Sequence, residues 1–412
     1  MNVYLIIILS ILIAEYVLEV FVERLNLRSA SGLLPSEFQG YYDAQKYRKA
    51  QEYLKDNTRF KIIKSSFFTA VIVVFILRGG FNLVDKFARS FALGPIATGL
   101  VFAGVLLLGL KFIGVPFSVY HTFVIEEKFG FNRSSVKTFV LDFIKSLFLG
   151  AIIGGLVFSV VLWFFGKAGP WAWAYCWVAV TFFQFFLVFI APIVILPLFN
   201  KYIPLEEGEL RSAIEEYADS QDFKIKGIFK MDASRRSSKS NAFFTGFGRF
   251  RRIALFDTLI SKHTVEELVS VLAHEIGHYK KKHIIRQLGL TIFTNGLMFY
   301  VLSLFIKNSG LFAAFKMEYL SNYASLFFFA FLYTPISLIF SVMHNVISRR
   351  HEYEADAYVL STYKKPEAFV EALKKLSVDN LSNLTPHPIK VFFDYSHPPV
   401  LQRIQAIRKI RP

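Results

Sequence analysis

A single cysteine, Cys176, stands among 412 residues, and one thiol excludes an intramolecular disulfide framework. Acidic residues are also in short supply: 31 Asp and Glu face 47 Lys and Arg, a formal net charge of +16. Only 19% of the chain is charged, whereas 54% is hydrophobic and 17% aromatic. With a mean hydropathy of +0.43, that balance excludes an ordinary soluble domain of this length. No stacking pattern or helix-turn-helix accompanies the basic surplus, so nucleic acid is set aside as a partner. Membrane lipid is the expected neighbour of that charge instead. The opening run "NVYLIIILSILIAEYVLEVFV" lacks a basic leading segment and a small-residue cleavage site, and it is too long for the core of a signal peptide. It is expected to stay as the first membrane helix. Internal repeats and low-complexity linkers are absent as well.

What is present is a series of apolar runs of membrane-spanning length. Seven are expected, near residues 3–22, 63–84, 96–119, 144–166, 172–198, 287–306 and 322–346, the second interrupted by Arg78 and Gly79-Gly80. The chain is thus a mostly α, polytopic membrane protein. Basic residues are few in the loops on one side (Lys86, Arg89, Lys167, Lys307, Lys316) and dense in the first loop on the other (Lys46, Arg48, Lys49, Lys55, Arg59 among them). The positive-inside rule then puts the N-terminus outside and the C-terminus inside. It also puts the long loop up to residue 286 and the tail from 347 on the cytoplasmic side. The expected division is a five-helix membrane domain (1–200), a loop module (201–286), helices six and seven (287–346) and a C-terminal tail (347–412).

The loop reads as a small α/β module. "PLEEGELRSAIEEYADSQD" has helical periodicity, "FKIKGIFKMDAS" looks like a strand, and "SNAFFTGFGRFRRIALFDTLI" looks like two strands joined by a Gly-containing turn. "HTVEELVSVLAHEIGHYKKKH" is a helix with Thr264 as N-cap and Glu267 three residues on, a capping-box pattern. In the tail, "PEAFVEALKKLS" and "PPVLQRIQAIRKI" read as amphipathic helices.

The capping-box helix carries H-E-x-x-H. Residues four apart share a helical face, so His274 and His278 can grip one metal while Glu275 reaches a water activated by it. A catalytic zinc needs a third protein ligand. Glu352 and Asp356, four apart in "NVISRRHEYEADAYVLS", supply a candidate ligand and a carboxylate to orient a ligand histidine through its ring N–H. Two membrane crossings separate His278 from Glu352, so both lie on one face of the membrane.

"VLAHEIGHYKKKH", "SRRHEYEADAY", "DYSHPPVLQRIQAI" and "SSKSNAFFTGFGRFRRIALFDTL", with "IEEKFGFNRSSV" and "YYDAQKYRKAQEYL" in the N-terminal half, resemble the integral-membrane zinc metalloproteases of the CAAX prenyl protease type. That resemblance implies one zinc ion per chain, held by His274, His278 and Glu352, with Glu275 as general base and Asp356 behind a ligand. It implies that His397 and Arg403 stabilise the oxyanion, and that Asn241 and Ala242 lie on a substrate-binding edge strand. It also implies that the seven helices enclose a chamber capped by the zinc module with its small β-hairpin. Glu15, Glu19, Arg78 and Lys111 are charges that such a chamber would accommodate, and Glu15 and Glu19 are expected to face Arg78 or Lys111.

The function implied is removal of the last three residues from prenylated CAAX-type substrates, which are lipid-modified or membrane-associated peptides or proteins. A quality-control zinc protease, or a zinc-binding membrane chaperone or transporter without catalysis, is the alternative. The membrane would be the endoplasmic reticulum in a eukaryote and the inner or plasma membrane in a bacterium.

Overall fold

The computed structural model describes residues 2–30, 32–245 and 252–410. From the N-terminus run α1 (Val3–Ser29), α2 (Ala44–Leu77), the short α3 (Gly80–Ser90), α4 (Pro95–Tyr120) and α5 (Val136–Lys167). Next come α6 (Ala172–Ile190), α7 (Leu196–Phe199), α8 (Glu209–Ser220), α9 (Asp257–Ile260), α10 (Val265–Lys280) and α11 (His283–Phe305). The last five are α12 (Ser309–Ala314), α13 (Asn322–Thr362), α14 (Pro366–Asp379), α15 (Pro388–Asp394) and α16 (Val400–Ile410). Seven stretches are long and apolar enough to span a membrane: α1, α2, α4 with the π-helical turn that carries it to Glu126, α5, α6 with its continuation through α7, α11 and α13. Little of each is buried within the protein, from none of the fifth stretch to 28% of the third. Most of each helix surface is thus left to face lipid or an interior space rather than packed protein.

Several helices extend beyond their apolar runs. Asp43 accepts a hydrogen bond from the Lys46 amide at 2.7 Å, so α2 starts well before its apolar segment. It ends at Leu77 rather than near 84, because Gly79 takes the left-handed backbone (φ +71°) that turns the chain into α3. The larger departure is α13, a single helix of 41 residues. Membrane helix seven and the segment with Glu352 and Asp356 are one continuous helix.

The antiparallel pairing of α1 and α2 overturns the expected charge partners. Residue 19 of α1 meets residues 61–65 of α2, so Glu19 accepts a hydrogen bond from Ser65 Oγ and lies 3.4 Å from Lys61 Nζ. Arg78, just past the far end of α2, is out of reach. Glu15 has no ion pair among the described residues. Lys111 lies over the Phe143 ring at 5.5 Å and borders a cavity of about 580 Å³ shared with Lys64, Thr122 and Asp142.

The sheet has four strands in the order β1-β2-β4-β3: β1 (Tyr202–Pro204), β2 (Gly227–Met231), β3 (Ala242–Thr245) and β4 (Arg252–Phe256). β2 and β4 are parallel, and the β1–β2 and β3–β4 pairs antiparallel. β1 was not anticipated, since three residues are too few to show a period. β3 and β4 are the expected hairpin strands, while the Gly-containing turn between them lies outside the described residues. Buried Ile214, Phe223, Leu255, Leu272, Ile276, Phe369 and Ile404 form one core, drawn from α8 and the loop after it, β4, α10, α14 and α16. Two charged contacts fix this module to the membrane helices. Arg236 donates to both oxygens of Asp142 on α5 at 2.7 and 3.0 Å. Lys239, two residues before Asn241, donates to Glu126 at 2.8 Å, and Tyr53 of α2 donates to the same carboxylate at 2.5 Å.

Candidate active site

The capping box forms as expected: Thr264 Oγ1 accepts from the Glu267 amide and Glu267 Oε2 from the Thr264 amide, each at 3.3 Å. It starts α10 at a fixed residue, which sets the face that His274 and His278 share. Gly277 brings that face onto α13. A Cβ there would lie 3.2 Å from the Cα and carbonyl oxygen of Ala355, tighter than an ordinary Cβ contact, so a side chain would push the two helices apart by a few tenths of an ångström.

Across that contact His274, His278 and Glu352 offer ligand atoms within 4.8 Å of one another. His274 Nε2 lies 3.0 Å from His278 Nε2, and Glu352 stands 3.3 Å from each of these nitrogens. Asp356 Oδ1 is 3.0 Å from His274 Nδ1. It accepts that N–H and leaves the Nε2 lone pair facing inward. Glu352 Oε2 is buried and accepts no hydrogen bond, an acceptor that the protein alone leaves unsatisfied. Charge points the same way: Glu275, Glu352 and Asp356 against the single guanidinium of Arg403 leave two negative charges for a dication to neutralise. Two imidazoles and a carboxylate are a donor set that suits zinc. Burial alone would lower the pKa of His274, but the Asp356 carboxylate at its Nδ1 and the Glu352 carboxylate beside its Nε2 outweigh burial and raise it to about 9. A metal arriving there displaces a proton.

The other expected residues surround this set. Glu275 is half-buried, borders the cleft and makes no side-chain hydrogen bond among the described residues. His397 Nε2 lies 3.3 Å from Glu352 Oε1, with its side chain 65% exposed. Arg403 is buried and donates to Asp356 from Nε at 2.9 Å and from Nη2 at 2.5 Å, while its Nη1 is 3.4 Å from Glu352. Asn241 and Ala242 lie on the cleft, where β3 is an edge strand. All but Asp356 line a cavity of about 490 Å³.

Sequence reasoning missed a further layer. His278 Nδ1 lies 3.0 Å from His283 Nδ1, and His283 Nε2 lies 3.1 Å from Glu354 Oε2. The His351 ring stacks on His283 at 4.0 Å. One proton arrangement satisfies the chain: Glu354 accepts the Nε2–H of His283, whose Nδ1 then accepts the Nδ1–H of His278, leaving His278 Nε2 free for a metal. His283 ends the motif stretch in the sequence, but helical spacing from His278 could not aim it. The chain leaves α10 after Lys280, and Lys282 turns through a left-handed conformation (φ 59°) before α11 begins.

With this geometry in view, residues 23–201 match the family described as CAAX prenyl protease N-terminal, five membrane helices, and residues 204–411 match peptidase family M48. The probable CAAX prenyl protease 1 of Schizosaccharomyces pombe is 37% identical over 90% of this chain and 81% of its own. CAAX prenyl protease 1 of Saccharomyces cerevisiae is 33% identical over 91% and 88%. The crystal structure of Ste24p from S. mikatae superposes with a TM-score of 0.93 at 32% identity, covering 98% of this chain and 99% of that one.

Proposed function

The chain belongs to peptidase family M48 in its CAAX prenyl protease branch, and we propose that it acts as an integral-membrane zinc endopeptidase removing the last three residues of prenylated CAAX-type proteins. The relatives' names support the substrate class, and the membrane-helix and peptidase family matches support the framework. The observation that carries the chemistry is an unpaired Glu275 beside the His274, His278 and Glu352 donor set, open to a cleft bordered by an edge strand.

His274, His278 and Glu352 would hold one zinc ion per chain. When bound it would supply the Lewis acidity that makes water a nucleophile at neutral pH. Glu275 takes the proton from the attacking water and passes it to the leaving amine. His397 and Arg403 offer N–H donors where negative charge grows on the carbonyl oxygen. The edge strand pairs its main chain at Asn241 and Ala242 with an extended peptide, fixing the scissile bond without reading many side chains. Seven membrane-spanning stretches joined to the zinc module suit a chamber for a lipid-tethered chain. We assign residues 1–200, 201–286, 287–346 and 347–412 to the membrane domain, zinc module, last membrane pair and tail, with the cleft on the cytoplasmic side because basic residues concentrate there.

The test uses purified protein in detergent with a farnesylated CAAX peptide, followed by mass spectrometry. The expected result is loss of three C-terminal residues, stopped by a chelator and restored by zinc. An uncut peptide with one zinc bound per chain would overturn the CAAX assignment, and cleavage of unfolded membrane segments by the same sample would then identify the quality-control reading.

His283 should act as a positioning residue. His283→Ala is expected to weaken zinc affinity about 10- to 100-fold, with kcat/KM recovering when zinc is added in excess. Measured zinc affinity unchanged from wild type would remove His283 from this role.

A further inference from the structure

On the membrane face remote from the cleft, basic residues are few; two of them pair with carboxylates and a third is hydrogen-bonded to the backbone. Lys86 pairs with Glu318 at 2.5 Å, Lys316 Nζ donates to the Leu77 carbonyl at 2.6 Å, and Arg89 donates to buried Asp85 at 2.8 Å. Lys167 and Lys307 differ: neither side chain has a hydrogen bond or ion pair among the described residues. They come from chain ends far apart in sequence, the last residue of α5 and the second residue beyond α11. Yet both border one cavity of about 540 Å³, together with Arg89.

Among the described residues no carboxylate borders that cavity. With Arg89 cancelled by Asp85, it presents two uncompensated positive charges. Lys307 is held in position by its backbone, which adopts φ 54° and donates its amide to Ser325 Oγ at 2.9 Å. The remaining surface is apolar, with Ile96, Leu162 and Leu320 beside exposed Trp163. Two cations with no partner of their own among the described residues, and apolar walls at helix ends, match a phosphate group carried at the depth of a lipid headgroup. An aromatic residue at the rim fits that level as well.

We propose that this cavity binds a phosphate ester, presented by an anionic phospholipid in the leaflet opposite the zinc cleft. It is separate from the protease substrate site, because α13 carries Asn322 at the cavity and Glu352 at the cleft. Thirty residues of helix hold the two about 45 Å apart. Phosphate oxygens accept from both lysine ammonium groups, and an acyl chain runs along the Leu162 and Trp163 wall. The lysines that the positive-inside pattern disfavours on this face thus gain a ligand.

The test compares wild type, Lys167→Ala/Lys307→Ala and Lys167→Arg/Lys307→Arg in phosphatidylcholine nanodiscs containing phosphatidic acid. Native mass spectrometry counts the lipid retained after release into detergent. Wild type and the arginine pair are expected to keep one phosphatidic acid, and the alanine pair to bind it about thirtyfold more weakly. A second arm measures labelled inorganic phosphate binding to detergent-solubilised protein. Lysine-dependent binding of phosphate without retained lipid would support the anion site and identify free phosphate as its source. Equal phosphatidic acid retention and equal phosphate binding by wild type and the alanine pair, with peptide cleavage intact in both, would overturn the proposal.

Discussion

Glu275→Gln is expected to leave the protein folded and its zinc bound while lowering kcat between about 10²- and 10⁴-fold. The substitution keeps shape and removes one property, the ability to accept a proton. Nothing in the fold depends on that carboxylate: it is half-buried, makes no side-chain hydrogen bond among the described residues, and stands outside the His274, His278 and Glu352 set. Stability should therefore stay within a few tenths of a kcal/mol, or rise slightly as one of the crowded negative charges is removed. The measurements are peptide turnover, zinc content by elemental analysis and melting temperature on the same preparation. Activity that survives in a zinc-loaded Glu275→Gln protein would dispose of the general-base role. It would also revive a protein that uses its metal for structure while its membrane interior does the work. A variant that loses zinc would instead mean that Glu275 reaches the metal directly.

The expected effect rests on a site whose near half was legible and whose far half was not. His274, Glu275 and His278 declare themselves because helical spacing converts sequence distance into direction, and Glu352 with Asp356 could be added by the same rule plus the parity of membrane crossings. The seven membrane stretches were readable from hydropathy. Their ends were not, since Asp43, Gly79 and the helical continuation of α13 are local events that hydropathy averages away. His283 and Glu354 were missed for a related reason. They depend on a left-handed turn at Lys282 and on the contact of α10 with α13 at Gly277, which is tertiary information. The Glu19 partner failed likewise: charges in the first two membrane helices were visible, but which pair meets depends on antiparallel register.

His397→Ala and Arg403→Met should separate two roles that sequence reasoning joined. His397 is 65% exposed at the cleft, so its loss removes a donor to the developing oxyanion and little else. The expected cost is about 10²- to 10³-fold in kcat, with an unchanged melting temperature. Arg403 faces inward. Its Nε and Nη2 are spent on buried Asp356, its Nη1 lies 3.4 Å from Glu352, and its guanidinium lies over the Phe369 ring at 5.8 Å. Arg403→Met strips the countercharge from buried carboxylates, and an ion pair broken on one side costs about 3–5 kcal/mol. Folding stability and kcat should therefore fall together. Pairing it with Asp356→Asn, which removes the stranded charge, should restore much of the stability. Activity should stay low, because His274 loses the carboxylate that orients it and the cleft still lacks the guanidinium. If Arg403→Met behaved like His397→Ala, with catalysis lost at full stability, the bidentate contact to Asp356 would contribute nothing to the fold and Arg403 would act on the oxyanion alone.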